Sequence, residues 1–563
     1  MAKSTEVKRY NAVGSFLAGA FVIATYSQAR VQIFDRDRIV KEAGDIAHFN
    51  LEKSEPARRG SIFSADGKVL AQSEDTYELG LNYKKVPHSP GFFVSLAEAC
   101  SVPATELSPA GDSVNGRVWR TPLTFEQAEK IRQVRRDWGA DGVSLARTNR
   151  RDYPLSEAVS GVVGAFRDNK PIAGIEVSLD EWLSGHDGHY KGFVDRSGTF
   201  VVDKDHPFEK RQNGQNVVLT IDSTLQASAI QAVRASVEAN KAKSGCAVVI
   251  DPKTGDVLAM ANWPTFDPNS SWKPGDDFDM AYMGGYEPGS TFKILTLAKA
   301  LDDGVIGLDD HYNCVGQMTV GKAVIHCDSH HGVRAHGNVS LETALAKSCN
   351  DAAATWALKI GREPMIDFMD KLRLFEKPEI GLPSEGTGSY NKKEYAQRLQ
   401  LATMGFGQSM NCVPVSLAAA YALIANNGMM MKPRLVKQVG DKETPIVQQG
   451  QMIKPEVANT VKTFMESVIQ SDFGTGKSLK IPGYRLAGKT GTAQKVGTSN
   501  GMYVANFVGM VPAQDPRAVV LVMIDSPSAG KYYGGTVAGP VFEDIAKAVI
   551  RRYSIPPTEK VGR

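Results

Sequence analysis

The chain has 563 residues, more than one ordinary domain uses, and a prior of about 150 residues per domain points to two to four. With 42% hydrophobic and 23% charged residues it has a globular composition able to bury full cores, and no low-complexity segment. The net charge of +3 is small for this length and no long Lys/Arg run occurs, so nothing points to nucleic acid as a partner.

Residues 10–29 carry no charge and include Phe16, Leu17, Phe21, Val22 and Ile23. A helix of this length spans about 30 Å, the thickness of a bilayer core. Lys3, Lys8 and Arg9 precede it, which predicts residues 1–9 as a cytoplasmic tail and residues 10–29 as an anchor. A cleaved signal peptide, suggested by Ala18 and Ala20, and a soluble buried helix are the alternatives. No second stretch of this kind follows, so the remaining chain is expected outside the cytoplasm.

Residues 30–55 are charged and predict a helical stalk. Arg58-Arg59-Gly60-Ser61-Ile62-Phe63 then opens a stretch of short strands and turns, with helical pieces such as 124–137. No compact catalytic signature occurs there, so residues 30–212 are read as stalk and non-catalytic pedestal. A boundary near Arg211-Gln212-Asn213-Gly214 leaves residues 213–563 as the catalytic domain.

In that part Val217-Val218-Leu219-Thr220-Ile221 predicts a strand and residues 223–242 an amphipathic helix. Residues 246–251 and 256–261 predict two strands joined by Pro252-Lys253-Thr254-Gly255. A long helical middle follows. Strands return at 484–494, 503–511 and 518–524, and a helix over 541–553 closes the chain. Strands at both ends with helices between predict a mixed α/β fold whose helices insert into one sheet.

Three short segments carry chemistry. In Glu287-Pro288-Gly289-Ser290-Thr291-Phe292-Lys293 a Pro-Gly turn leads into a strongly apolar helix. Ser290 is thus placed at a helix N-terminus, where free N–H groups favour negative charge. Lys293, one turn on, can lie beside it; a serine hydroxyl needs a base, and a buried lysine can act as one. Ser270, Ser389 and Ser528 also begin S-x-x-K, but in loops or on an exposed helix. Ser348-Cys349-Asn350 forms a turn between two predicted helices, with a hydroxyl to relay a proton and an amide to hold a carbonyl. Lys489-Thr490-Gly491-Thr492 lies inside a predicted strand whose edge can pair with an extended peptide. The same tripeptide at Lys253-Thr254-Gly255 is read as a turn.

The six cysteines are scattered and do not form a disulfide framework. Cys314 and Cys327 flank a predicted hairpin; a bridge and two free thiols both stay open. His311, His326, His330, His331 and His336, half of the ten histidines, surround them. This stretch is read as a polar loop near the active-site mouth, with a zinc site as the lesser alternative; no metal and no cofactor is expected.

In this order the three segments match the signature of penicillin-binding proteins and related β-lactamases. The chain resembles a class B penicillin-binding protein, of the division-specific branch by its S-x-N. The likeness extends to Arg58-Arg59-Gly60-Ser61-Ile62, Gly174-Ile175-Glu176, Leu179-Asp180, Gly405-Phe406-Gly407-Gln408 and Ala425-Asn426-Asn427-Gly428. Ser409-Met410-Asn411 departs from the small residues usual there.

The resemblance implies a transmembrane helix, a β-rich pedestal of the dimerisation type, and a β-lactamase-like transpeptidase domain of antiparallel sheet flanked by helices. It implies a peptidoglycan D,D-transpeptidase without a glycosyltransferase domain, active in septal wall synthesis and inhibited by β-lactams. Ser290 is then the nucleophile and Lys293 its base, with Ser348 and Lys489 relaying a proton and Asn350 orienting the peptide. Thr490, Gly491 and Thr492 bind the terminal carboxylate region, and the N–H groups of Ser290 and Thr492 form the oxyanion hole. Expected partners are D-Ala-D-Ala stem peptides, β-lactams, the membrane, a membrane glycosyltransferase and other division proteins. The protein is expected to be a single-pass protein of the bacterial cytoplasmic membrane with its catalytic domain outside. An elongation-type enzyme, a β-lactam sensor and a silent scaffold are the rival readings.

Overall fold

The computed structural model describes residues 2–36, 38, 49–109, 115–194, 200–203, 208–270, 272–327, 335–391, 398–495 and 502–559. The chain separates into two compact units.

The first unit holds Met1–Arg58, Asp75–Asn149 and Gly185–Gly214. Helix α1 (Ala2–Ala29) runs on into a π-helical turn, Arg30–Phe34. The segment Asn11–Phe34 is long and apolar enough to cross a membrane. Its Phe16, Phe21 and Ile23 side chains meet no protein core and are 70% or more exposed.

The predicted helical stalk does not extend to residue 55. Phe49–Glu55 is a strand, paired antiparallel with Gly188–Val194 in a register that sets Lys53 opposite Tyr190. The pairing partner is remote in sequence, and such tertiary pairing overrides local helix preference. Residues 37 and 39–48 of the stalk lie outside the described residues. Helix Phe125–Trp138 starts at a capping box, Thr124 with Gln127, and ends on Gly139 at positive φ. It packs Ile131 with Phe92, Leu96, Leu79 and Trp119 into this unit's own core.

The second unit takes in Gln215–Arg563 and also Arg59–Glu74 and Arg150–Ser184. Glu176 is wholly buried in it and accepts from Arg59 Nε at 2.6 Å, Arg151 Nε at 2.8 Å and Tyr153 Oη at 3.2 Å. Arg59 also pairs with Asp180. Two sequence marks, Arg58-Arg59-Gly60 and Gly174-Ile175-Glu176, thus meet in one buried ion cluster.

The rest of the unit is built on helix α2 (Ser223–Ala239), strands β1 (Ser244–Ile250) and β2 (Val257–Trp263), helices α3 (Lys293–Asp302), α4 (Leu341–Ala346), α5 (Asn350–Ile360), α6 (Pro414–Ala425) and α7 (Pro455–Gln470), strands β3 (Ala487–Gln494), β4 (Tyr503–Val511) and β5 (Ala518–Asp525), and helix α8 (Gly539–Arg552). The five strands form one antiparallel sheet in the order β2-β1-β5-β4-β3. Asp222 caps α2, its carboxylate accepting from the Thr224 and Leu225 N–H groups.

The sheet is buried on both faces, which explains its near-continuous apolar strands. Ala247, Val249, Val520 and Val522 pack with α2 and α8 on one side. Val248, Ile250, Leu521 and Met523 pack with α3, α5 and α6 on the other. All twelve residues of α6 are buried, as expected of a helix apolar all round, and Pro414 occupies its first turn.

Candidate active site

Ser290 lies in a single 3-10 turn, Gly289–Phe292, that leads into α3. The sequence reading of a helix start is correct, with the tighter turn that often opens a helix. This turn is gripped from one side. Gly289 N donates to Gly407 O at 2.9 Å, Tyr286 and Cys412 exchange backbone bonds at 3.1 and 2.9 Å, and Ser409 N donates to Glu287 Oε1 at 2.8 Å. Gly407 has φ +78, and a Cβ there would sit 2.2 Å from Gly289 O. Only glycine fits both the conformation and the space. On the other side Gly289 approaches β3, where an added Cβ would lie 3.2 Å from Ala493 Cβ and 3.4 Å from Thr492 O.

Lys293, the first residue of α3, is fully buried. Its Nζ donates to Ser348 O at 2.6 Å, Ser348 Oγ at 3.1 Å and Asn350 Oδ1 at 2.6 Å. Lys489, also fully buried, donates to Ser348 Oγ at 2.8 Å and Thr490 O at 2.9 Å. Ser348 sits between α4 and α5 at φ +60, an unfavourable conformation for a serine that functional sites tolerate. Burial pushes the Lys293 amine down to about 8, against an opposing pull from Cys327, Cys349 and Asp351. Burial, and then the charge of Lys293, drives Lys489 well below the ordinary lysine range. Both shifts favour neutral amines, one of which can take a proton from a nearby hydroxyl.

β3 is an edge strand of the sheet. It carries Lys489, Thr490, Gly491 and Thr492 in register with Val508, Phe507, Asn506 and Ala505 of β4. Gly491 has no room for a side chain, since a Cβ would lie 2.0 Å from Asn506 Oδ1. A groove of about 340 Å³ lies by the end of β3, lined by Tyr286, Glu287, Asn411, Ala493, Gln494 and Lys495.

Sequence reasoning missed two supports. Thr475 accepts from the Thr490 hydroxyl at 2.8 Å, and Gly534 N donates to Thr492 Oγ1 at 3.1 Å. The clusters Gly474-Thr475-Gly476 and Gly534-Gly535 were the available signals. The decoys separate cleanly: Ser270, Ser389 and Ser528 are exposed, and Lys253 pairs with Asp515 at 2.7 Å in a turn.

The fold and the three converging segments are those of the penicillin-binding class, and comparison with known proteins agrees. Residues 245–547 match the penicillin binding protein transpeptidase domain and residues 54–219 the penicillin-binding protein dimerisation domain. The chain belongs to this family. It is 32% identical to the peptidoglycan D,D-transpeptidase FtsI of Escherichia coli, over 96% of this chain and 91% of that protein. It is 32% identical to stage V sporulation protein D of Bacillus subtilis, over 77% and 68%. Among solved structures it resembles a Mycobacterium tuberculosis penicillin binding protein 3 complexed with aztreonam, at 26% identity and TM-score 0.68, over 90% of this chain and 99% of the other. Penicillin binding protein 2X of Streptococcus thermophilus, at 21% identity and TM-score 0.74 over 90% and 80%, shares the fold.

Proposed function

We propose that this chain is a septal peptidoglycan D,D-transpeptidase that forms an acyl-enzyme on Ser290. The observation that carries this is the convergence of two buried lysines on Ser348 Oγ, with Ser290 on the adjoining turn. A neutral Lys293 takes the Ser290 proton as Oγ attacks the carbonyl of the penultimate D-alanine. The N–H groups of Ser290 and Thr492 hold the oxyanion. Lys489 and Ser348 return a proton to the leaving D-alanine. Asn350 orients the stem peptide, which adds along the β3 edge, and Thr490, Gly491 and Thr492 receive its terminal carboxylate. An amine from a neighbouring strand then resolves the ester.

In this reading residues 1–9 are cytoplasmic, residues 10–29 span the membrane once, residues 30–212 are stalk and pedestal, and residues 213–563 are the transpeptidase domain outside the cytoplasm. A membrane glycosyltransferase and other division proteins are its partners. The names of the relatives, FtsI and stage V sporulation protein D, support the division assignment.

The test is intact-protein mass spectrometry after reaction with a labelled penicillin, followed by peptide mapping. One adduct on the Ser290 peptide is expected. A label on any other peptide overturns the proposal.

A further inference from the structure

Four ligand-bearing side chains meet behind the Ser348-Cys349-Asn350 turn. Cys314 ends the strand His311–Cys314, Cys327 follows the strand Ala323–His326, His336 precedes the strand Gly337–Ser340, and Cys349 caps α5. Their four ligand atoms lie within 4.8 Å of one another. Cys327 Sγ is 3.4 Å from Cys349 Sγ and 3.4 Å from His336 Nδ1, and Cys314 Sγ is 3.6 Å from His336 Nδ1. A tetrahedron with zinc–sulfur bonds of about 2.3 Å and zinc–nitrogen bonds of about 2.0 Å has edges of about 3.8 Å (S to S) and about 3.5 Å (S to N). The cluster is close to that size before any ion enters.

A disulfide explains it less well. The sulfurs are unbonded, 3.4 Å is far beyond a bond of about 2.05 Å, and three thiols meet, so any pairing strands one. A second observation points to a cation. Asp351 is wholly buried beside the sulfurs, its Oδ2 is 3.4 Å from Cys314 Sγ, and its Oδ1 has no hydrogen-bond partner among the described residues. The Asn350 N–H, 3.3 Å from Cys327 Sγ, supplies the outer contact that zinc thiolates use.

We propose that Cys314, Cys327, His336 and Cys349 bind one zinc ion, which fixes the turn presenting Ser348 and Asn350 to Lys293. Three thiolates and an imidazole are a soft donor set suited to zinc. Binding releases the thiol protons, so metal uptake strengthens as pH rises. Cys349 lies between Ser348 and Asn350 in sequence, so a bond from its sulfur to the metal ties a strained backbone to three separate strands. This favours the zinc site over the polar-loop reading of the sequence. His311 and His326 are exposed and take no part, and His330 and His331 lie outside the described residues.

The metal arm of the test is independent of the transpeptidase reading; the acylation arm rests on it. The full-length protein, purified with thiols kept reduced, is analysed for metal by inductively coupled plasma mass spectrometry. About one zinc per chain is expected, lost in Cys327→Ser and in His336→Ala and kept in Cys100→Ser. Chelation of the wild type should expose three more reactive thiols and slow penicillin acylation by about 10²-fold, the scale of a small misplacement of catalytic groups. Restored zinc should restore the rate. Absence of zinc with no uptake from added Zn²⁺, or a disulfide between any two of the three cysteines in the unreduced protein, overturns the site. Unchanged acylation after zinc removal overturns its positioning role.

Discussion

Lys293 and Lys489 share one acceptor: their ammonium groups reach Ser348 Oγ from two elements, at 3.1 and 2.8 Å. Two charged amines on one hydroxyl in a dry site repel each other, so at least one is neutral when the site works.

The pH profile of acylation follows. A lysine held down to about 8 is protonated below that pH and cannot accept the Ser290 proton. Penicillin acylation should rise with pH and level off above about 8. Stopped-flow labelling between pH 6 and 9.5 reads this directly; a flat or falling profile contradicts Lys293 as base.

Ser290→Ala should abolish the adduct, and Lys293→Ala should slow its formation by about 10²–10⁴-fold, the usual worth of a general base. Lys253→Ala, altering an exposed turn, should label at the wild-type rate. Gel fluorescence with a labelled penicillin ranks the three.

Gly407→Ala forces a Cβ against the Gly289 backbone at positive φ. A cost of about 1–3 kcal/mol is expected from the conformation and the crowding. Both the melting temperature and the acylation rate should fall, because the displaced backbone is the one that carries Ser290. An unchanged rate in a folded variant would show that the grip on this turn is dispensable.

Glu176→Ala leaves Arg151 buried without its carboxylate and Arg59 with Asp180 alone. Breaking such a cluster costs about 3–5 kcal/mol. Urea denaturation of the variant should show a lower midpoint at similar slope.

For topology, a reporter active only outside the cytoplasm, fused after Arg563, should be active. Activity of a cytoplasm-only reporter at that position would exclude the proposed orientation.

The three motif segments were legible because each couples a local pattern to a local structure. Ser290 follows a Pro-Gly turn into an apolar helix, and the strand over 503–511 was bounded correctly by its apolar run. The strand expected from 484 begins only at Ala487, since Ile481 and Tyr484 instead close a turn around Pro482-Gly483. The strand Phe49–Glu55 was illegible because its partner lies beyond residue 187. The cysteine cluster was only half seen for a similar reason. Its members lie 13, 9 and 13 positions apart, on separate elements, with no compact ligand motif to read.

Helix α6 has no solvent-facing residue. A substitution at any of its twelve positions changes volume against neighbours on every side, and close-packed interiors register even one methylene. Substitutions within this helix should therefore be poorly tolerated. Under antibiotic selection the changes that survive should come from exposed positions beside the groove such as Gln494, and seldom from this buried centre.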